Sequence, residues 1–254
     1  MRAVFASFSI APFLLAAGNP TAAPKGDTTL YSTRGAPLAT VAKNGAIRSA
    51  KCGPGFSEAA GNRKGDVWTR LDAWGRPAER VHVTGSSVYD LRNCREIGTR
   101  GGPDTGDAPA LYVRGARAPS PTRPFSCSAT HKHAALASSF RATVGVSSPP
   151  AIFCTRDARG NELMHAIAGG KNLVLARFEN GHWTLGRKLR RAPTDVPTPA
   201  DEAYVVVAVL DMNGDGAPEI VVHTRGADSY DDDVYTLRAD GRLHLVATQG
   251  SGYA

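Results

Sequence analysis

Residues 205–222, VVVAVLDMNGDGAPEIVV, decide the fold and are the most informative part of the chain. One β-branched apolar run leads into the segment, another leaves it, and acids and glycines lie between them. Because β-branched residues favour strands over helices, the segment predicts two strands joined by a polar loop. Gly214 and Gly216 provide the backbone freedom that a sharp turn between these strands needs.

The loop places oxygen-bearing side chains at alternate positions, which is the arrangement that suits a hard cation and predicts Ca²⁺. The predicted ligands are Asp211, Asn213, Asp215 and Glu219 through their side chains and Ala217 through its backbone carbonyl. An EF-hand is excluded because its twelfth loop position needs a glutamate and is Val222 here. Two aspartates and a glutamate without a counter-charge would repel one another, which favours a metal loop over an ordinary Asp/Gly hairpin loop.

The pattern Asp211-x-Asn213-Gly214-Asp215-Gly216-x-x-Glu219, followed by an Ile-Val-Val strand, resembles the FG-GAP/VCBS type of repeat. Such repeats are known from integrin-like β-propellers and from many bacterial secreted proteins, where the loop joins two antiparallel strands of a blade and binds Ca²⁺. The resemblance extends over about residues 203–247 and implies the same roles for the five ligands named above. Propellers of this family usually carry several such loops, and this chain shows one convincing copy. A single repeat on another β scaffold is therefore an alternative to a full propeller.

The rest of the chain consists of short apolar runs that turn residues interrupt about every ten residues. This pattern predicts an all-β protein of antiparallel hairpins with few helices, arranged as a propeller-like array, a barrel or a sandwich. The predicted turns are Asn44-Gly45, Trp74-Gly75, Arg159-Gly160-Asn161, Asn180-Gly181 and Asp240-Gly241. A single helix is predicted over residues 131–140.

Composition shifts divide the chain into an N-terminal β region at 24–118, a middle β region with loops at 119–200, and the C-terminal calcium hairpin unit at 201–254. Residues 24–254 can equally form a single domain. Residues 1–23, with Arg2 before an apolar stretch and small residues after it, predict a signal peptide. The apolar stretch is short for a membrane span, and no other segment could cross a bilayer.

The chain contains four cysteines, and none of them lies close enough to another for a zinc or redox motif. In an exported chain, four such cysteines predict two disulfides. Three connectivities are open, and the most local one pairs Cys52 with Cys94 and Cys127 with Cys154. The predicted location is therefore the periplasm or the extracellular space.

Other clusters carry weaker predictions. The net charge of +7 includes one basic cluster, residues 187–191, but aromatic residues are few, so the sequence does not favour nucleic acid as a partner. His131 and His133 lack an identifiable third ligand, and Asp231–Asp233 is expected to be a solvated loop. The chain has no Gly-x-Ser-x-Gly elbow and no His-Glu-x-x-His helix. The carboxylates considered for glycoside hydrolysis, which are expected to be solvated, are Asp66, Asp72, Glu79 and Asp90.

The sequence thus favours a secreted or periplasmic calcium-binding β protein with a non-enzymatic binding or scaffold role, whose ligand is a protein or a polysaccharide. The first alternative is an exported hydrolase with its site in residues 50–180 and an accessory C-terminal repeat. The second is a binder of an anionic polymer or nucleic acid that uses residues 187–191.

Overall fold

The computed structural model describes residues 28–32, 37–49, 67–82, 87–91, 94–98, 109–114, 125–127, 133–190, 204–225 and 229–252. In these residues the chain forms three antiparallel sheets, one separate two-stranded hairpin and one helix. The prediction of an all-β fold built from antiparallel hairpins, with few helices, is confirmed. Across these ranges the sheets close into neither a barrel nor a propeller.

The N-terminal part of the chain forms the largest sheet. Its strands are β1 (Thr28–Tyr31), β2 (Pro37–Val41), β3 (Ile47–Ser49), β4 (Val67–Leu71), β5 (Pro77–His82) and β8 (Leu111–Arg114). They lie in the order β3-β2-β1-β8-β4-β5. The separate hairpin consists of β6 (Ser87–Leu91) and β7 (Cys94–Gly98).

The remaining strands form two four-stranded meanders in which each strand pairs with the next one along the chain. The first meander consists of β9 (Ala151–Arg156), β10 (Glu162–Ala168), β11 (Asn172–Glu179) and β12 (His182–Arg190). The second consists of β13 (Tyr204–Leu210), β14 (Glu219–Arg225), β15 (Ser229–Leu237) and β16 (Leu243–Gly252). The helix α1 (His133–Val144) precedes β9.

The helix and the three sheets stack as four layers. Helix α1 packs through Phe140 on one face of the β9–β12 sheet, where Trp183 is buried against it. The other face of that sheet, which includes Phe153, packs on the β13–β16 sheet. The opposite face of the β13–β16 sheet then packs on the six-stranded sheet, where Leu30 and Leu38 are buried. The β13–β16 sheet is therefore covered on both faces.

Burial on both faces explains the continuous apolar sequence at residues 220–222 of β14. In a strand, successive side chains point to opposite faces. Ile220 and Val222 face the β9–β12 sheet, whereas Val221, between them, faces the six-stranded sheet. All three are almost completely buried. A strand covered on both faces reads as an unbroken apolar run, as residues 220–222 do.

Four hairpins share one turn design. In the turns at 42–46, 72–76, 157–161 and 238–242, the first residue's N–H donates to the carbonyl of the fifth, and the glycine N–H donates back to the first carbonyl. The glycine at the fourth position has a φ between +72° and +82°. This left-handed position is the reason that each turn carries glycine there. All four were predicted as turns, but their equivalence is visible only in the hydrogen bonds.

Two of these glycines differ in what surrounds them. A Cβ added at Gly75 would lie 2.6 Å from the Cβ of Leu210 in β13, whereas a Cβ at Gly160 would meet nothing within 4 Å. Both have a positive φ, +72° at Gly75 and +82° at Gly160. The 72–76 turn therefore packs directly on β13, and the 157–161 turn is open.

We expect Gly75→Ala to destabilise the protein by about 2 to 4 kcal/mol, because it adds overpacking against Leu210 to the backbone strain. Gly160→Ala is the matched control, in which only the backbone strain of about 1 kcal/mol applies. Urea unfolding of both variants measures the difference. Equal losses in the two variants would contradict the packing of this turn on β13.

The disulfide Cys127–Cys154 is present and confirms one half of the predicted pairing. It joins the short segment before α1 to β9, where the N–H of Cys154 also donates to the carbonyl of Phe125. Cys52 lies outside the described residues, so its pairing with Cys94 stays a prediction. The helix runs to Val144, four residues beyond its predicted end. It stops there because Gly145, at φ +68°, donates its N–H to the carbonyl of Arg141 and caps the helix.

A buried histidine lies in the middle of the β9–β12 sheet. His165 stacks on Phe153 with ring centroids 5.3 Å apart, and its Nε2 is 2.9 Å from the hydroxyl of Thr155. Burial, and to a lesser extent the charge of Arg177 on the neighbouring strand, lowers the pKa of His165 to about 4. The folded protein therefore holds this imidazole neutral at neutral pH.

Stability should consequently fall as the pH is lowered from about 6.5 to about 4. Across this window the unfolded chain binds a proton that the folded protein does not, so His165 contributes a loss of up to about 3 kcal/mol. Urea unfolding at several pH values should show a shallower slope for His165→Asn than for the wild type. His182→Asn, at an exposed position in β12, is the control and should keep the wild-type slope. Identical slopes in all three proteins would rule out His165 as the origin of the pH dependence of stability.

Candidate metal centre

The predicted cation loop lies between β13 and β14, as the sequence indicates. It begins at Asp211, of which only 6% is exposed, and this carboxylate organises the turn. Its Oδ1 accepts the N–H of Gly214 at 2.7 Å, and its Oδ2 accepts the N–H of Gly216 at 3.0 Å. Both glycines have a positive φ, +78° and +84°. The side chain of Asp211 thus holds the loop in a conformation that the two glycines make accessible.

The next two predicted ligands, Asn213 and Asp215, are bound to each other and to the loop backbone. The amide of Asn213 donates to Asp215 Oδ2 at 2.9 Å, and Asn213 Oδ1 accepts the N–H of Asp215 at 3.1 Å. Asp215 Oδ1 accepts the N–H of Ala217 at 2.7 Å. Asp215 is exposed, so this side of the loop faces solvent.

Glu219, the last predicted ligand, is completely buried at the first position of β14. Its Oε2 accepts the N–H of Met212 at 2.8 Å, and its Oε1 accepts the hydroxyl of Thr236, on β15, at 3.2 Å. Burial raises the pKa of this carboxyl to about 8, and the charges of Asp215 and Asp211 contribute to the increase. The two hydrogen bonds therefore compensate the negative form of Glu219 only in part.

The loop also contacts the six-stranded sheet. The amide of Asn213 donates to the carbonyl of Gly45, in the β2–β3 turn, at 3.0 Å. Close by, the N–H of Val209 donates to the carbonyl of Ala73, in the β4–β5 turn, at 2.8 Å. Two hairpin turns of the N-terminal sheet thus bind the strand and the loop that carry the predicted ligands.

The charge balance of the loop is negative. Among the described residues, no basic side chain forms an ion pair with Asp211, Asp215 or Glu219. No three His, Cys, Asp or Glu side chains of the described ranges converge as a ready-made metal site, because the two aspartates face backbone amides. The fit to a cation therefore rests on the donor chemistry. Five residues offer oxygens, which hard cations prefer, and a carboxylate oxygen that accepts one N–H keeps a second lone pair.

The other candidate clusters lie elsewhere. The Asp231–Asp233 run is part of β15 and is not a solvated loop. Asp232 is buried and its Oδ1 is 2.8 Å from His223 Nδ1, whereas Asp233 Oδ2 accepts the hydroxyl of Tyr235 at 3.0 Å. Alternation along β15 sends Asp232 and Asp233 to opposite faces of the sheet, so the run does not form one cation site.

The structure describes only part of the predicted histidine and carboxylate clusters. His131 and Asp66 lie outside the described residues. Asp72 closes the β4–β5 turn, where its Oδ1 accepts the N–H groups of Trp74 and Arg76. These backbone hydrogen bonds, together with Arg76, lower the pKa of Asp72 despite its partial burial, which acts in the opposite direction. Its role is that of a turn-stabilising carboxylate.

Sequence reasoning missed two groups at the loop, the hydroxyl of Thr236 and the carbonyl of Gly45. Both contacts are non-local in sequence, since Thr236 is 17 residues from Glu219 and Gly45 is 168 residues from Asn213. The turn at Asn44-Gly45 was predicted, but nothing in the sequence indicates which loop it contacts.

No family model, curated protein or solved structure matches this chain. In the described part of the chain, no helix has the length and apolar character that crossing a membrane requires.

The hydrogen bonds of Glu219 predict a difference between two substitutions in the presence of a chelator. Glu219→Gln keeps an oxygen for the N–H of Met212 and replaces a carboxyl that, with a pKa of about 8, is largely protonated at neutral pH. The free energy of unfolding should therefore stay within about 1 kcal/mol of the wild type. Glu219→Leu leaves that buried N–H without an acceptor and should cost about 1 to 3 kcal/mol more. Urea unfolding at neutral pH measures both variants. A glutamine variant as unstable as the leucine variant would contradict this account of the site.

Proposed function

We propose that this chain is an exported calcium-binding β protein with a non-enzymatic binding or scaffold role, in which Ca²⁺ stabilises the 211–219 loop. The ligands would be the side chains of Asp211, Asn213, Asp215 and Glu219 and the backbone carbonyl of Ala217. The bound ion would supply the positive charge that the described part of the molecule does not place at this loop.

The observation that carries the proposal is the complete burial of Glu219 beside two further carboxylates. Burying a charge is costly unless it is paired or coordinates a metal. Thr236 and the N–H of Met212 compensate only part of the charge of Glu219, because both are neutral donors. A divalent cation would interact favourably with all three carboxylates and offset two of their three negative charges.

The architecture around the loop supports the FG-GAP/VCBS interpretation. The loop joins the first two strands of a four-stranded antiparallel meander, and propeller blades are sheets of this kind. The β9–β12 meander packs face to face against it, as neighbouring blades do. We infer that β13–β16 is a calcium-binding repeat of this type, on a scaffold whose described part is a stack of sheets.

Export is supported by the disulfide Cys127–Cys154, because disulfides persist in oxidising compartments. It agrees with the signal peptide predicted at residues 1–23, which lie outside the described part of the chain. Extracellular calcium modules commonly bind with affinities of about 0.1 to 1 mM, which suffices in a calcium-rich medium. We propose that the partner is a protein or a polysaccharide outside the cytoplasm.

Calcium should raise the melting temperature of the wild type by about 5 °C or more at a hundredfold excess over Kd, because it binds only the folded loop. The variant that combines Asp211→Ala with Asp215→Ala should melt at the same temperature in calcium as in chelator. The control combines Asp157→Ala with Asp240→Ala, which removes two acids from the β9–β10 and β15–β16 turns and should keep the calcium-dependent increase. If the wild type melts identically in calcium and in chelator, the proposal is wrong.

A further inference from the structure

The strand β12 forms an open edge of the β9–β12 sheet. It pairs with β11 on one side, and across the described residues no strand pairs with it on the other. It is nine residues long. The register shifts at Gly186, which has no partner in β11, so the strand continues regularly on either side of this residue. Each part of the open edge presents main-chain N–H and C=O groups that can pair with another strand.

The side chains of this edge give it a specific chemistry. Leu185 is 54% exposed, which makes it the most exposed large apolar residue among those described. Arg187 and Lys188 are also exposed, and neither forms an ion pair with a described residue. Adjacent strand residues point to opposite faces, so these two cations lie one on each side of the sheet.

The register fixes which face each side chain occupies. Leu185 pairs with Ala176 and Lys188 with Val174, so both lie on the face that α1 covers further along the sheet. Arg187 pairs with Leu175 and lies on the face that packs toward β13–β16. An added strand with two adjacent acids would place one acid beside each cation.

We propose that the free edge of β12 binds an extended acidic segment of a partner protein, which adds as a fifth strand to the β9–β12 sheet. The main-chain groups would supply the affinity, whereas Arg187, Lys188 and Leu185 would select a strand that carries adjacent acids and an apolar residue. This surface lies on a different sheet from the 211–219 loop, so the proposal stands independently of calcium binding.

Two other occupants fit the edge less well. A second copy of the chain would bring four uncompensated cations into one interface, and like charges across paired strands are unfavourable. A polyanion would bind more strongly to cations that lie in a row on one face of the sheet, whereas Arg187 and Lys188 lie on opposite faces. An acidic strand would form hydrogen bonds with the main chain of the edge and would also pair with both cations.

The test uses a fluorescein-labelled ten-residue peptide of threonine and valine with a central Glu-Asp pair. A second peptide carries Lys-Lys at the centre, and a third keeps Glu-Asp but is N-methylated at alternate residues, which removes its backbone donors. Fluorescence anisotropy with the oxidised full chain gives the three affinities. We expect only the unmodified acidic peptide to bind, and its binding should protect the amides of residues 182–190 from hydrogen exchange.

Charge reversal identifies the site. Arg187→Glu combined with Lys188→Glu should weaken binding of the acidic peptide at least about tenfold, since two attractive pairs become repulsive. Arg80→Glu combined with Arg238→Glu changes the net charge equally, at exposed positions on β5 and beyond β15, and should leave the affinity unchanged. Both double variants are surface changes and should unfold like the wild type, which a melting curve checks.

Three results would overturn the proposal. The first is that the acidic peptide fails to bind at millimolar concentration. The second is that the N-methylated peptide binds as tightly as the unmodified one, which would show that charge alone is recognised. The third is that a 20-nucleotide single-stranded DNA binds at residues 187 and 188 without protecting the β12 amides, which would assign the surface to a polyanion instead.

Discussion

The burial of β13 and β14 on both faces is the constraint on which the rest of the structure depends. One face of this strand pair completes the core against Phe153 and its neighbours, and the other completes the core against Leu30 and Leu38. The β9–β12 sheet and the six-stranded sheet each bury one apolar face against this strand pair. The hydrophobic effect, at roughly 25 cal/mol per Å² of apolar surface, therefore acts through this hairpin on both of its neighbours.

The same burial creates a need for a compensating positive charge at the loop between β13 and β14. Because β14 is covered on both sides, its first residue, Glu219, is removed from water together with its charge. A solvent-facing carboxylate at this position would need no counter-charge, but a buried one does. The loop meets part of this need with the N–H of Met212 and the hydroxyl of Thr236, and the proposed ion would meet the remainder. Fold and cation chemistry are thus linked through the burial of a single carboxylate.

Much of the fold could be predicted from local sequence signals. The β-branched runs of residues 205–210 and 220–222 and the turn glycines gave the strands and hairpins, because strand and turn preferences act over a few residues. The order of the layers could not be predicted, because it depends on which apolar faces meet, and the sequence encodes that only through the summed packing of many side chains. For the same reason the contact between Leu210 and Gly75 could not be predicted, although both residues had been placed in the correct elements.

The candidate site shows the same division. The predicted oxygen donors alternate along one short loop, so their identity and spacing could be read from the sequence. Thr236 and Gly45 come from other hairpins and could not be predicted. The helix end is an intermediate case. The sequence predicted a helix that ends at Phe140, whereas the helix continues to Val144 and stops at the left-handed Gly145.

Asn213 connects the loop to the N-terminal half of the chain. An aspartate at this position would offer oxygens to a cation equally well, but it has no hydrogen to donate to the carbonyl of Gly45. The asparagine amide does both, since its oxygen faces the loop and its nitrogen reaches the β2–β3 turn. An ion that fixes the loop would therefore also fix this hydrogen bond, and with it the position of the β2–β3 hairpin over β13–β16. Through this side chain, the conformation of the loop is coupled to the docking of the β2–β3 hairpin, in addition to the apolar packing that joins the two sheets.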